Sequence, residues 1–166
     1  MKVALDIDDV LAGFYPGMCD KYDRPELKIN IWDGDFAAKW VADNFSKIEA
    51  NKFFWLGLPI ISNPRAIAFE VECYITSSPK EMVNYRIDWL VQNGFPIRPV
   101  YHSTNKLETM RELGIDIIVD DKPSTVNSIN QSEDKKALQF KPSYMSAEIE
   151  DKSKIITHLS QVNKFL

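Results

Sequence analysis

The sequence predicts an α/β protein, a doubly wound parallel sheet of Rossmann-like type with a small helical cap inserted after the first strand. Three observations predict it. Short apolar runs alternate with stretches of helical spacing, the pattern of strand–helix–strand crossovers. One run, residues 115–119, is nearly continuously apolar, as a strand covered on both faces must be. The alternation breaks once, over residues 15–60, where aromatic residues crowd and residues 35–50 have helical spacing.

Taken in order, residues 2–7 read as the first strand, ending in Asp6-Ile7-Asp8-Asp9-Val10. The interrupting segment carries Tyr15, Tyr22, Trp32, Phe36, Trp40, Phe45, Phe53, Phe54 and Trp55. Residues 70–75 form a second strand that runs into Thr76-Ser77-Ser78-Pro79. Pro79 opens a helix that continues to Asn93, with Met82, Ile87, Trp89, Leu90 and Val91 apolar and Gly94 as its stop. Residues 97–101 form a third strand, which Pro99 assigns to an edge or a bulge. A helix over 107–113 stops at Gly114, and the buried strand 115–119 follows. A short helix over 125–129, a last short strand over 137–140 and a final helix over 151–163 complete the chain. Residues 1–14 and 61–166 are thus expected to form the core and residues 15–60 the cap.

The chain has 166 residues, enough for one core and a modest insertion. It is 45% hydrophobic and 27% charged, as globular chains are. A net charge of -4 argues against a general nucleic-acid-binding surface, so no stable nucleic-acid complex is expected. Cys19 and Cys73 are not spaced as a metal knuckle or redox motif, which favours a reducing compartment. No run approaches the roughly 20 apolar residues of a membrane span, and the N-terminus does not read as a signal peptide. The expectation is a cytoplasmic monomer or homodimer with no membrane association.

In open parallel sheets ligands bind beyond the carboxyl ends of the strands. Four polar groups are expected to gather there: Asp6 with Asp8, the Thr76-Ser77-Ser78 run, Lys106, and Asp120 with Asp121. An ionised carboxylate attacks phosphorus, splitting one difficult step into two easier ones. A second carboxyl protonates the leaving oxygen and later takes a proton from water. Hard oxygen ligands suit magnesium, and a hydroxyl and an ammonium stabilise phosphate oxygens. The cation is required electrostatically, because two bare carboxylates at ~4 Å repel by about 4 kcal/mol at an effective dielectric of about 20.

These motifs resemble those of the haloacid dehalogenase (HAD) superfamily of aspartate-nucleophile phosphatases. The match lies at Asp6-Ile7-Asp8-Asp9-Val10-Leu11, Ile75-Thr76-Ser77-Ser78-Pro79, Lys106 and Val119-Asp120-Asp121-Lys122. Within the superfamily the chain is most similar to the 5'(3')-deoxyribonucleotidases. The run from Asp8 through Gly13-Phe14, the segment Asn51-Lys52-Phe53-Phe54-Trp55-Leu56, Leu58-Pro59, and Ser77-Ser78-Pro79 carry that likeness.

The resemblance implies Asp6 as nucleophile and Asp8 as general acid/base. It implies Mg2+ held by the Asp6 carboxylate, the Asp8 backbone carbonyl and Asp121, with Asp120 a direct ligand or one layer out. Ser77, Ser78, Lys106 and Arg86 are implied to grip phosphate, and Phe14 and Trp32 to line the substrate pocket. Asp9 stands where the family commonly has glycine, so its charge must be paired or point away from phosphate. His102 and His158 are not expected to be catalytic. The implied activity is Mg2+-dependent hydrolysis of (deoxy)nucleoside monophosphates through a phospho-aspartate. Its rivals are hydrolysis of another small phosphate ester or a polynucleotide 3'-phosphate, and a non-catalytic nucleotide- or metal-binding module. A first expected outcome is that Asp6→Asn abolishes magnesium-dependent phosphate release while the circular dichroism spectrum is kept. Asp8→Asn slows release strongly, and full activity in either variant moves that role elsewhere.

Overall fold

In the computed structural model, which describes residues 1–23 and 36–166, β1 (Val3–Leu5) lies inside a parallel sheet. It pairs on one side with β2 (Val71–Thr76) and on the other with β4 (Ile117–Asp120). β3 (Val100–His102) flanks β2, and β5 (Lys136–Phe140) and β6 (Ile155–Ile156) extend the sheet beyond β4. The order is therefore β3-β2-β1-β4-β5-β6. The chain winds outward from β1 to β3, crosses back over β1, and winds outward again from β4. Connections reverse direction between β1 and β4, and their carboxyl ends border the crevice where such sheets bind ligands.

Side-chain alternation along the strands divides the core in two. Val3, Leu5, Ile117 and Val119 join one apolar cluster with Trp89 and Leu90 of α4 (Val83–Gln92). Ala4, Cys73, Ile75 and Ile118 join another with Met110 of α5 (Lys106–Leu113) and Val126 and Ile129 of α6 (Pro123–Asn130). Both faces of the sheet are covered, which is why the central strands are apolar at consecutive positions. Gly94 and Gly114, at φ +76° and +66°, supply the left-handed residues that end the helices before β3 and β4.

Between β1 and β2 the described chain forms α1 (Phe14–Tyr22), α2 (Phe36–Glu49) and α3 (Lys52–Leu56). Phe14, Tyr15, Met18, Phe54 and Trp55 belong to the same buried cluster as Leu5 and Trp89, so α1 and α3 share the core's apolar interior. Trp32 lies outside the described residues.

Three predicted elements differ. The helix expected from Pro79 begins as a 3-10 turn, Lys80–Met82, and becomes α-helical at Val83. The strand predicted over 97–101 is confined to Val100–His102, at the sheet edge where Pro99 donates no hydrogen bond. The final helix expected over 151–163 is replaced by a 3-10 turn (Lys152–Lys154), β6 and a 3-10 helix (Leu159–Lys164). There Ile155 and Ile156, β-branched and adjacent, pair with Gln139 and Phe140 on the open edge of β5. The 137–140 strand is thus not the last. His158, expected on that helix, instead caps the 3-10 helix by accepting from the Ser160 N–H. Among the described residues, no helix is long and apolar enough to cross a membrane.

Ile118 has no exposed surface at the centre of the sheet. Ile118→Ala is expected to lower unfolding stability by about 2–5 kcal/mol, read as a lower urea midpoint with unchanged slope.

Candidate active site

β1 and β4 run in register, Leu5 opposite Val119, so the residues that follow each strand emerge side by side. The Asp6 N–H donates to the Val119 carbonyl at 2.9 Å and carries the ladder one bond past the strand. Beyond it the chain turns tightly. The Leu11 and Ala12 N–H groups both donate to Ile7 O, and the Asp9 N–H donates to Ala12 O at 2.6 Å. None of these bonds uses the Asp8 carbonyl, which is left for another partner. Asp9 takes φ +54°, the left-handed conformation that glycine adopts most readily.

The groups expected at the strand ends meet around one cavity of about 290 Å3. Asp6, Asp8, Ser77, Ser78, Lys106, Asp120 and Asp121 all line it. Lys106 opens α5, and its buried ammonium lies 2.6 Å from both Asp6 Oδ2 and Asp120 Oδ2. Burial pulls this ammonium down, but Asp120 and Asp6 outweigh it and hold Lys106 above the usual lysine range. Burial pushes Asp6 up to about 7, against the attraction of Lys106, and Asp120 and Asp8 add to the rise. The other Asp6 oxygen accepts the Ile7 N–H at 2.7 Å, and Asp120 Oδ1 accepts the Lys122 N–H at 2.8 Å.

One carboxylate oxygen each from Asp6, Asp120 and Asp121 lies within 4.8 Å of the others, and all three residues are buried. Three buried acids thus meet beside one lysine. An all-oxygen donor set of this kind suits a hard divalent cation. The residues fit magnesium: Asp6, Asp121 and the Asp8 carbonyl would hold it, with Asp120 shared with Lys106.

Asp8 is engaged separately. Its Oδ2 accepts from Ser78 Oγ at 2.5 Å, and its Oδ1 lies 2.6 Å from Arg86 Nη2. Ser78 is itself oriented by Thr76, whose Oγ1 donates to Ser78 Oγ at 3.0 Å and accepts the Ser78 N–H. The Ser78 hydroxyl proton is therefore committed to Asp8, whereas Ser77 is exposed on the cavity wall. Arg86, expected to grip phosphate directly, has no exposed surface and is not among the lining residues. It lies behind Asp8, because the inward face of α4 aims it into the core.

Asp9 points away from the cavity and is paired. Its Oδ1 accepts the Tyr144 hydroxyl at 2.6 Å and the Tyr15 N–H at 3.2 Å. Burial pushes it up to about 8, against the Tyr144 hydrogen bond. His102 Nδ1 lies 2.7 Å from the Ser78 carbonyl oxygen, to which it donates, and His158 is exposed.

Part of the cavity lining is aromatic. Phe14 lines the cavity and stacks on Trp55, ring centroids 5.7 Å apart at 29°. Trp55 and Phe45 line it too, as do Thr104, Lys122 and Thr125, none of which the sequence reading had assigned to the site. For Trp55 the signal was available, since it lies in the segment Asn51–Leu56 that carried the resemblance.

No protein-family model matches this chain, and no curated protein does. Solved structures do. A HAD-superfamily hydrolase of subfamily IA, variant 1, from Geobacter sulfurreducens PCA matches with a TM-score of 0.57 at 13% identity. The match covers 99% of this chain and 98% of that one. The UTR4 protein of Saccharomyces cerevisiae matches with a TM-score of 0.54 at 9% identity, over 96% and 98% of the two chains. At such identities the likeness is one of fold, and it spans essentially the whole of each chain.

If the acid cluster holds Mg2+, the ion will stabilise the folded state alone. A free concentration 100 times the dissociation constant contributes about 2.7 kcal/mol, so Tm of chelator-stripped protein is expected to rise by about 5–10 °C. Asp121→Asn is expected to abolish the rise, and a wild-type Tm indifferent to magnesium would remove the assignment.

Proposed function

We propose that this chain is a magnesium-dependent phosphomonoesterase that hydrolyses (deoxy)nucleoside monophosphates through a phospho-aspartate. The observation that carries the reading is the convergence of Asp6, Asp8, Lys106 and the Asp120-Asp121 pair on one cavity with Ser77 at its rim. The fold shared with a HAD-superfamily hydrolase supports it.

On this reading Asp6 attacks phosphorus, and the ester oxygen leaves with a proton from Asp8. Asp8 then takes a proton from the water that attacks the aspartyl phosphate, and inorganic phosphate departs with Asp6 restored. Lys106 offsets charge on the nucleophile and on the phosphoryl oxygens, and the Ser77 hydroxyl donates to one of those oxygens. Bound magnesium supplies charge neutralisation for the dianionic phosphate among the acids. Burial disfavours ionisation of Asp6, and both Lys106 and a neighbouring cation restore the anion that attack requires.

Substrate choice follows from the aromatic part of the lining. Phe14, Phe45 and Trp55 offer an apolar aromatic surface in the same cavity as the acids. A planar base stacks there with its phosphate on the acid side, an arrangement rings favour when offset or edge-on. Residues 15–60, which supply Phe45 and Trp55, act on this reading as a cap over a core of residues 1–14 and 61–166.

The test is a phosphate-release screen with magnesium over nucleoside and deoxynucleoside monophosphates, sugar phosphates and 3'-phosphorylated oligonucleotides. Nucleoside monophosphates are expected to give the highest kcat/KM. Higher values for sugar phosphates or oligonucleotide ends reassign the substrate, and no release from any ester leaves a binding module.

A further inference from the structure

We propose that Arg86 is a positioning residue for Asp8, and that through it the aromatic wall of the cavity and the proton-transferring carboxylate are held as one unit. The proposal rests on the role given to Asp8 above.

A guanidinium without exposed surface must have its charge matched at close range. Asp8 Oδ1, 2.6 Å from Arg86 Nη2, supplies that match. Burial lowers the proton affinity of Arg86, and the Asp8 carboxylate opposes the change. The contact is single, Nη2 to Oδ1, and the planar guanidinium gives it a fixed N–H direction that a point-charge ammonium does not supply. Ser78 holds the second Asp8 oxygen at 2.5 Å. With both oxygens engaged, the carboxylate keeps one orientation, and each oxygen retains a further lone pair.

The far side of Arg86 is aromatic. Its guanidinium carbon lies 5.5 Å from the ring centroids of both Trp55 and Trp89, within the range of cation–π attraction. Trp89 is fixed by its indole N–H, which donates to the Leu58 carbonyl at 2.9 Å. Trp55 belongs to the cavity wall and stacks on Phe14. Arg86 Nη1 also approaches the Trp55 carbonyl, at 3.4 Å. An occupant that touches Trp55 therefore meets a ring that also backs the cation holding Asp8. A phosphate ligand would need to reach the cavity, and Arg86 meets it through Asp8 and Trp55 rather than directly.

The experiment compares wild type, Arg86→Lys and Trp89→Phe in steady-state hydrolysis of the best nucleoside monophosphate, with inorganic phosphate as the inhibitor. Arg86→Lys keeps the charge and loses the fixed direction of the Nη2 N–H. Its kcat is expected to fall about a hundredfold, the scale of acid–base catalysis, while the inhibition constant for phosphate stays within about twofold. Trp89→Phe, which weakens one side of the aromatic seat and deletes the bond to Leu58 O at a residue outside the cavity, is expected to give a smaller fall of the same kind. A kcat retained in both variants overturns the proposal. So does a tenfold or greater loss of phosphate affinity, which makes Arg86 a phosphate ligand. If circular dichroism shows Arg86→Lys unfolded, Trp89→Phe decides alone. A wild-type chain that releases no phosphate removes the functional reading and this inference together. An active wild type with unaffected variants removes the inference only.

Discussion

The ammonium of Lys106, buried between Asp6 and Asp120, is the contact on which the arrangement of this molecule turns. Its two carboxylates come from the ends of β1 and β4, strands more than a hundred residues apart that lie in register at the sheet's reversal point. The lysine comes from the start of α5, the helix that carries the chain from β3 back across to β4. One cation thus ties both halves of the winding together at the crevice. Each group makes the burial of the others tolerable, because an isolated charge there would carry several kcal/mol of desolvation.

A second cation–carboxylate unit stands beside the first. Arg86 and Asp8 form a pair behind the cavity, seated among the indole rings of Trp55 and Trp89. The two units differ in kind. Lys106 lines the cavity and faces two carboxylates at once. Arg86 is sealed from the cavity and answers one carboxylate. Neither pair is a strong source of net stability, since desolvation offsets most of the attraction. The two apolar clusters on either face of the sheet supply that, and the ion pairs fix where the carboxylates stand.

The residues between β1 and β2 belong to this organisation as much as to any cap. Phe14, Phe54 and Trp55 pack edge-on and stacked against one another, within 6 Å between centroids, in the same cluster as the central strands. The cavity wall is therefore an extension of the core rather than a loosely attached layer. On the opposite flank the segment after β5 reaches back through Tyr144 to Asp9, so the acidic turn after β1 is fastened at its side as well. Asp9 is thereby held out of the cavity.

Acids at the ends of apolar runs could be read directly, because a strand and the residue after it are neighbours in the chain. That proximity made Asp6, Asp8, Asp120 and Asp121 legible, and with them the alternation that gives a parallel sheet covered on both faces. Helix phase and the far side of a contact are not local properties. Helical spacing could place Arg86 on α4 but not aim it at Asp8 between two indoles, and Ser78 could not be seen to spend its hydroxyl on the same carboxylate. The two-residue strand Ile155–Ile156 carries too little pattern to announce itself, and it exists because β5 offers an open edge. The sequence by itself determined the central strands, the helices between them and which acids end those strands, since neighbouring residues encode period and termination. The pairing of buried charges was decided only by tertiary structure, because it depends on which distant side chains packing brings within three ångströms.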